Sequence, residues 1–108
     1  MSVNRNELKN IGFKVVGVER QNQPWDTGGL INQKMPPGWF IILDPPVIAI
    51  DDHSAIDLVA LVIKPNGEKI KMKYDLYQLR ENGQLCLFFS DIEFKQIEVG
   101  NIIELQDA

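Results

Sequence analysis

A mainly β fold is what this sequence predicts: a small antiparallel barrel or strongly bent sheet, built on a hairpin meander, with a short N-terminal helix. Three observations predict it. The first is Pro65-Asn66-Gly67 between two apolar-rich arms, because Asn-Gly supplies the two positive-φ positions that a tight hairpin turn needs. The second is the same signal at Glu81-Asn82-Gly83-Gln84, which leads into Leu85-Cys86-Leu87-Phe88-Phe89. The third lies between the turns, where Ile70, Met72 and Tyr74 share one parity but Tyr77 and Leu79 take the other. A β-bulge near Asp75-Leu76 accounts for the switch, and two hairpins sharing one long coiled strand tend to close into a barrel. The competing reading is a single helical turn capped by Asp75 and ending near Gly83. The second Asn-Gly signal favours the bulge.

Taken in order, the chain opens with a short polar stretch and a helix. Asn6 is the expected N-cap, Glu7 suits the first turn, Leu8 and Ile11 lie three apart, and Gly12 closes the end. So short a helix is stable only when docked, and its expected place is one end of the sheet. Phe13 to Arg20 alternates as a strand, with Gly17 marking a bulge, a bend or a close backbone approach. Gln21 to Gly29 reads as a loop broken by Pro24 and by Gly28-Gly29, with Trp25 in its middle. A weak strand is expected at Leu30-Ile31, then a turn at Met35-Pro36-Pro37-Gly38 whose prolines cannot donate to a ladder. Trp39 to Leu43 is a strongly apolar strand ended by the stiff corner Asp44-Pro45-Pro46, and Val47 to Ile50 resumes as a short one. After the polar turn Asp51-Asp52-His53-Ser54, Leu58 to Ile63 is apolar throughout, as a central strand buried on both faces would be. Lys69, Lys71 and Lys73 then alternate with Ile70, Met72 and Tyr74, giving a half-buried strand with a wet, basic outer face.

The tail ends in a Val99-Gly100-Asn101 turn and a last apolar strand, Ile102 to Leu105. Over about fifteen residues this ending resembles the barrel domains of translation GTPases; the resemblance implies a barrel and no activity.

Length and charge bound the function. The 108 residues read as one β-rich domain, 1–108, long enough to bury a core of its own. A net charge of −4 argues against a chain wholly given over to nucleic acid or anionic membrane, both of which call for positive charge. Cys86 is the single cysteine, so no intramolecular disulfide points to secretion. There is no apolar leader and no run of membrane-spanning length, so a cytoplasmic location is the expectation.

No phosphate loop, nucleophile elbow, paired-cysteine site or His-Glu-x-x-His is present. Asp51-Asp52-His53, with Asp57 after it, is the one cluster of metal-ligating types, but three consecutive residues converge only within a turn, and an exposed polar turn is the plainer reading. Cys86, among Leu85, Leu87 and Phe88, reads as a buried, inert thiol without a cationic neighbour in the local sequence. The Lys69/Lys71/Lys73 row sets charges about 7 Å apart, near a phosphate spacing. That face lacks the aromatics that stack bases, and such a strip also protects a strand from edge pairing.

Trp25 reads in two ways: folded over the core and pinning its loop, or held out as an anchor for a partner. The expected function is therefore a non-catalytic module that binds a protein partner or a second copy of itself, a homodimer being one such form. Its expected surface is Trp25, Asp26 and Met35, with no catalytic residue, metal, cofactor or membrane contact. The alternative is a small nucleic-acid-binding barrel that uses Lys69, Lys71 and Lys73 to hold the anion.

Overall fold

The structure, a computed structural model, describes residues 2–28, 32–47, 49–50, 58–92 and 94–108. A two-residue strand, β1 (Ser2–Val3), precedes the helix α1 (Arg5–Lys9). Asn4 caps the helix: its side chain accepts from the Glu7 N–H at 2.9 Å, and the Glu7 carboxylate accepts from the Asn4 N–H at 3.3 Å. The expected cap, Asn6, therefore lies inside the helix, and Asn10 rather than Gly12 ends it. The reciprocal bond to an acid three residues ahead decides the start, and Asn4 has one where Asn6 does not.

Ten further strands follow: β2 (Phe13–Gln21), β3 (Trp25–Asp26), β4 (Lys34–Met35), β5 (Gly38–Asp44), β6 (Ala49–Ile50), β7 (Leu58–Ile63), β8 (Lys69–Met72), β9 (Leu76–Leu79), β10 (Leu85–Ser90) and β11 (Ile102–Asp107). Seven of them form one antiparallel sheet in the order β8-β7-β11-β2-β5-β10-β9, while β1 pairs with β6 and β3 with β4. Both Asn-Gly signals mark hairpins, with φ of +89° at Gly67 and +87° at Gly83. The loops are longer than the two-residue turn expected: Gly67 N–H donates to the Lys64 carbonyl and Gly83 N–H to the Arg80 carbonyl, so the glycine alone takes the positive φ. Gly17 follows a bulge, since the register against β5 shifts between Val15 and Gly17. The corner after β5 carries a cis Asp44–Pro45 peptide. Expected strand Leu30-Ile31 and the Asp51-Asp52-His53 turn lie outside the described residues.

The segment between the two hairpins is a bulged strand and not a helical turn. Asp75 N–H donates to the Phe88 carbonyl at 2.9 Å, while Leu76 is the register partner of the same Phe88. Two residues thus oppose one, and the faces swap. The Asp75 carboxylate also accepts from the Ser90 N–H at 2.8 Å, fixing the bend.

The sheet is open, however, and a closed barrel is not what forms. β8 and β9 stand at opposite ends of the strand order with no ladder between them among the described residues. The chain runs from Met72 to Leu76 through only Lys73, Tyr74 and Asp75, a span of at most about 14 Å. The two edges therefore meet at one corner through the chain itself, and the sheet must curl to let them. Its concave side holds the main core, with Phe13, Val15, Ile41, Leu43, Ala60, Val62, Leu85, Leu87, Phe89 and Ile103 fully buried. Leu8 of α1 is fully buried in the same cluster, so the helix docks as expected.

β7 corrects the sequence reading. It pairs on both sides, with β8 and β11, as a central strand should. Leu58, Ala60 and Val62 are buried on the concave side; on the convex side Val59 is buried too, but Leu61 and Ile63 are only half-buried. An apolar run shows that water is partly excluded, not that both faces are covered.

Candidate functional site

The convex side of the sheet divides into a covered half and a bare one. On the covered half, Phe40 of β5 and Phe88 of β10 are register partners, with ring centroids 5.0 Å apart. The β3–β4 hairpin lies across them. Trp25 and Met35 are cross-strand partners and so share a face, and the Trp25 ring sits 5.1 Å from Phe40 and 5.2 Å from Phe88. Met35 is buried and Trp25 half-buried, while Asp26 is exposed. The structure thus brings Trp25 and Met35 together, but turns both toward the sheet. The indole N–H is buried with no acceptor among the described residues.

Beside this cluster, Arg80 donates to Glu19 at 2.9 Å. Cys86 is only 1% exposed, and burial pushes its thiol up to about 11 despite the Arg80 charge nearby. A cation does adjoin this cysteine, then, but desolvation outweighs it and the thiol stays protonated at neutral pH.

On the bare half, strand register places the convex residues in rows. Lys69, Ile63, Ile102 and Lys14 lie side by side across β8, β7, β11 and β2. Lys71, Leu61 and Glu104 form the next row. Lys14, Lys69, Lys71 and Lys73 are exposed; Leu61, Ile63, Ile102 and Glu104 are half-buried. No described element crosses this half. It is an aliphatic strip with Lys69 and Lys71 along β8, Lys73 just past its end, and a further lysine about 14 Å away on β2, three strand spacings across.

Five of the other cations are taken up within the chain, whereas these four lysines, like Lys34 and Lys95, have no ion pair among the described residues. Arg5 and Lys9 bind Asp107, Arg20 binds Asp91, Lys64 lies 3.6 Å from Glu98, and Arg80 binds Glu19. The Arg20 guanidinium holds the Asp91 carboxyl below its usual range, and Lys9 with Arg5 does the same for Asp107. An open cleft of about 430 Å³ borders Lys64, yet that ammonium already donates to the Gln96 carbonyl at 2.8 Å and to Asn101 Oδ1 at 3.0 Å. Among the described residues no ion pair reaches Lys14, Lys69, Lys71 or Lys73.

Sequence reasoning singled out Lys69, Lys71 and Lys73 for the anion-binding alternative and did not place Leu61, Ile63, Ile102 and Lys14 beside them. Their only local signal is the alternation of each strand. What aligns them is the insertion of β11 between β7 and β2, a pairing between residues far apart in the chain. Compared with protein-family models, with curated proteins and with solved structures, the chain matches none.

Proposed function

We propose that this chain is a non-catalytic interaction module that binds a protein partner through the bare half of its convex sheet face. One observation carries the reading: two halves of the same surface are treated differently. Where Phe40 and Phe88 would face water, the chain supplies its own cover in the β3–β4 hairpin. Where Leu61, Ile63 and Ile102 face outward, it supplies none among the described residues and rings them with lysines. Apolar area rimmed by charge is the composition of a contact surface.

A contact centred on Trp25, Asp26 and Met35 would first have to lift the indole off two aromatic rings, so the bare face is the favoured surface. Self-association through the bare face sets lysine against lysine in an isologous contact, which favours a partner of a different kind. The nucleic-acid reading keeps the same lysines, but Trp25, Phe40, Phe88, Trp39 and Phe94 are stacked on one another away from them. Cytoplasmic location is part of the proposal; no helix among the described residues is long and apolar enough to cross a membrane.

Selection from a random-peptide phage library on the immobilised protein tests the reading. It expects a convergent peptide family whose binding is lost in Leu61→Thr/Ile63→Thr and kept in Asp26→Ser. A family indifferent to the first pair, or no convergence at all, overturns it.

A further inference from the structure

The arrangement of charge on the bare face also selects what can lie there. We infer that the partner presents an acidic amphipathic helix, seated along β7 and β11 with its aliphatic stripe on Leu61, Ile63 and Ile102. The inference rests on the interaction-module reading and adds the chemistry of the ligand to it.

Charge complementarity is the first argument. The molecule carries −4 overall, yet Lys14, Lys69 and Lys71 share one face, with Lys73 just past the end of β8, and none has an ion-pair partner among the described residues. Neighbouring lysines along β8, about 7 Å apart, repel by roughly 0.6 kcal/mol in water. That cost is small but unrelieved among the described residues, and an anionic ligand removes it. Shape is the second argument. The β8 lysines and Lys14 stand about 14 Å apart across the face, and a helix with its side chains is about 10–12 Å across. An extended strand laid on the face would cover one column and reach only one lysine line. The third argument concerns surface type. Branched aliphatic side chains lie between the lysines, and these prefer aliphatic contact to phosphate or sugar.

Glu104 adds a polarity to the fit. It lies on β11 opposite Leu61, on the side away from the β8 lysines. The helix should therefore carry its carboxylates at i, i+4 and i+8 on the β8 flank, a rise of about 6 Å per step against the lysine spacing of about 7 Å. The helix position over Glu104 should be neutral or basic, while a carboxylate beyond it reaches Lys14 on β2.

The test uses the full chain, isotope-labelled, and defined probes. One is a helical peptide with a leucine stripe and a flank of glutamates, another its glutamine counterpart, and the third a single-stranded oligothymidine. The acidic peptide should shift the amides of Lys69, Lys71, Lys73, Leu61, Ile63 and Ile102, and bind about tenfold more tightly than the glutamine version, as several exposed charge pairs together allow. Lys69→Gln/Lys71→Gln/Lys73→Gln should remove that preference without lowering the unfolding midpoint. Equal binding of the two peptides, shifts confined to other surfaces, or tighter binding of the oligothymidine would each overturn the inference. If the phage-selected peptides bind this face but are not acidic, the ligand chemistry fails and the interaction reading stands. If no peptide of either origin binds the face, both fail.

Discussion

Trp25 holds a conflict between its ring and its nitrogen. The ring packs on Phe40 and Phe88, yet the buried Nε1–H finds no acceptor among the described residues, a penalty of about 1–3 kcal/mol. Truncation and conservative replacement should therefore have different outcomes. Trp25→Ala should lower stability by about 2–3 kcal/mol, less than for a fully buried aromatic because the side chain is half-buried. Trp25→Phe keeps a ring and deletes the orphan donor, so it should be neutral or stabilising by urea denaturation. A loss under Trp25→Phe as large as under Trp25→Ala would mean that the N–H has a partner after all. Cys86 makes a second residue-scale prediction. Its thiol ionises near 9.0 when unperturbed and at about 11 in the fold. Between those values the unfolded chain has lost a proton that the native chain keeps, so stability falls as pH rises, by up to about 3 kcal/mol. Denaturation at pH 8 and pH 10.5 should show this slope in the wild type, and a shallower one in Cys86→Ala.

At the scale of the element, β7 shows how a face and a run of residues differ. Leu58 and Leu61 are both leucines in one strand, but only Leu58 points into the concave core. Leu58→Ala should cost about 2–5 kcal/mol, and Leu61→Ala about 1 kcal/mol or less. Equal midpoint shifts in a denaturant titration would contradict the assignment of faces. Local chemistry made much of this architecture legible before any coordinates. The two Asn-Gly hairpins, the bulge at Asp75 and the docked helix follow from turn geometry, parity and length. The one-residue difference between runs that should be out and in is likewise local, which is why the Lys69/Lys71/Lys73 face was visible. What local chemistry does not carry is which strand lies beside which. The β3–β4 hairpin needs Trp25 to find Phe40 and Phe88, and the bare face needs Ile102 to come between Ile63 and Lys14. Both are set by tertiary packing, so the partners of Trp25 and the aliphatic strip were hidden.

For the molecule as a whole, charge and topology are arranged independently. Ion pairs tie the helix to β11 through Asp107 and tie β2 to the turn after β10 through Asp91, while the lysines of the bare face tie nothing among the described residues. Neutralising those lysines should thus leave the fold as stable as before, so a change in binding can be read without a change in folding. The position of β11 has a consequence of another kind. The last strand in the sequence stands third in the sheet, between β7 and β2, and without it the order falls into β8-β7 on one side and β2-β5-β10-β9 on the other. Those halves would share no ladder among the described residues and would be joined only by the chain, through residues 45–57 and through Lys73, Tyr74 and Asp75. Everything made earlier in the chain must wait for a piece that arrives at the end, and long-range pairing of this sort is slow to form. The gap it leaves is also a template with two open sides, each waiting for the same strand. A chain cut after Gly100 should lack a cooperative unfolding transition, and a synthetic peptide of residues 101–108 should restore it by slotting into the vacancy. By the same route, two molecules at high concentration can each lend the other a β11, so this central strand is where an exchanged dimer would begin.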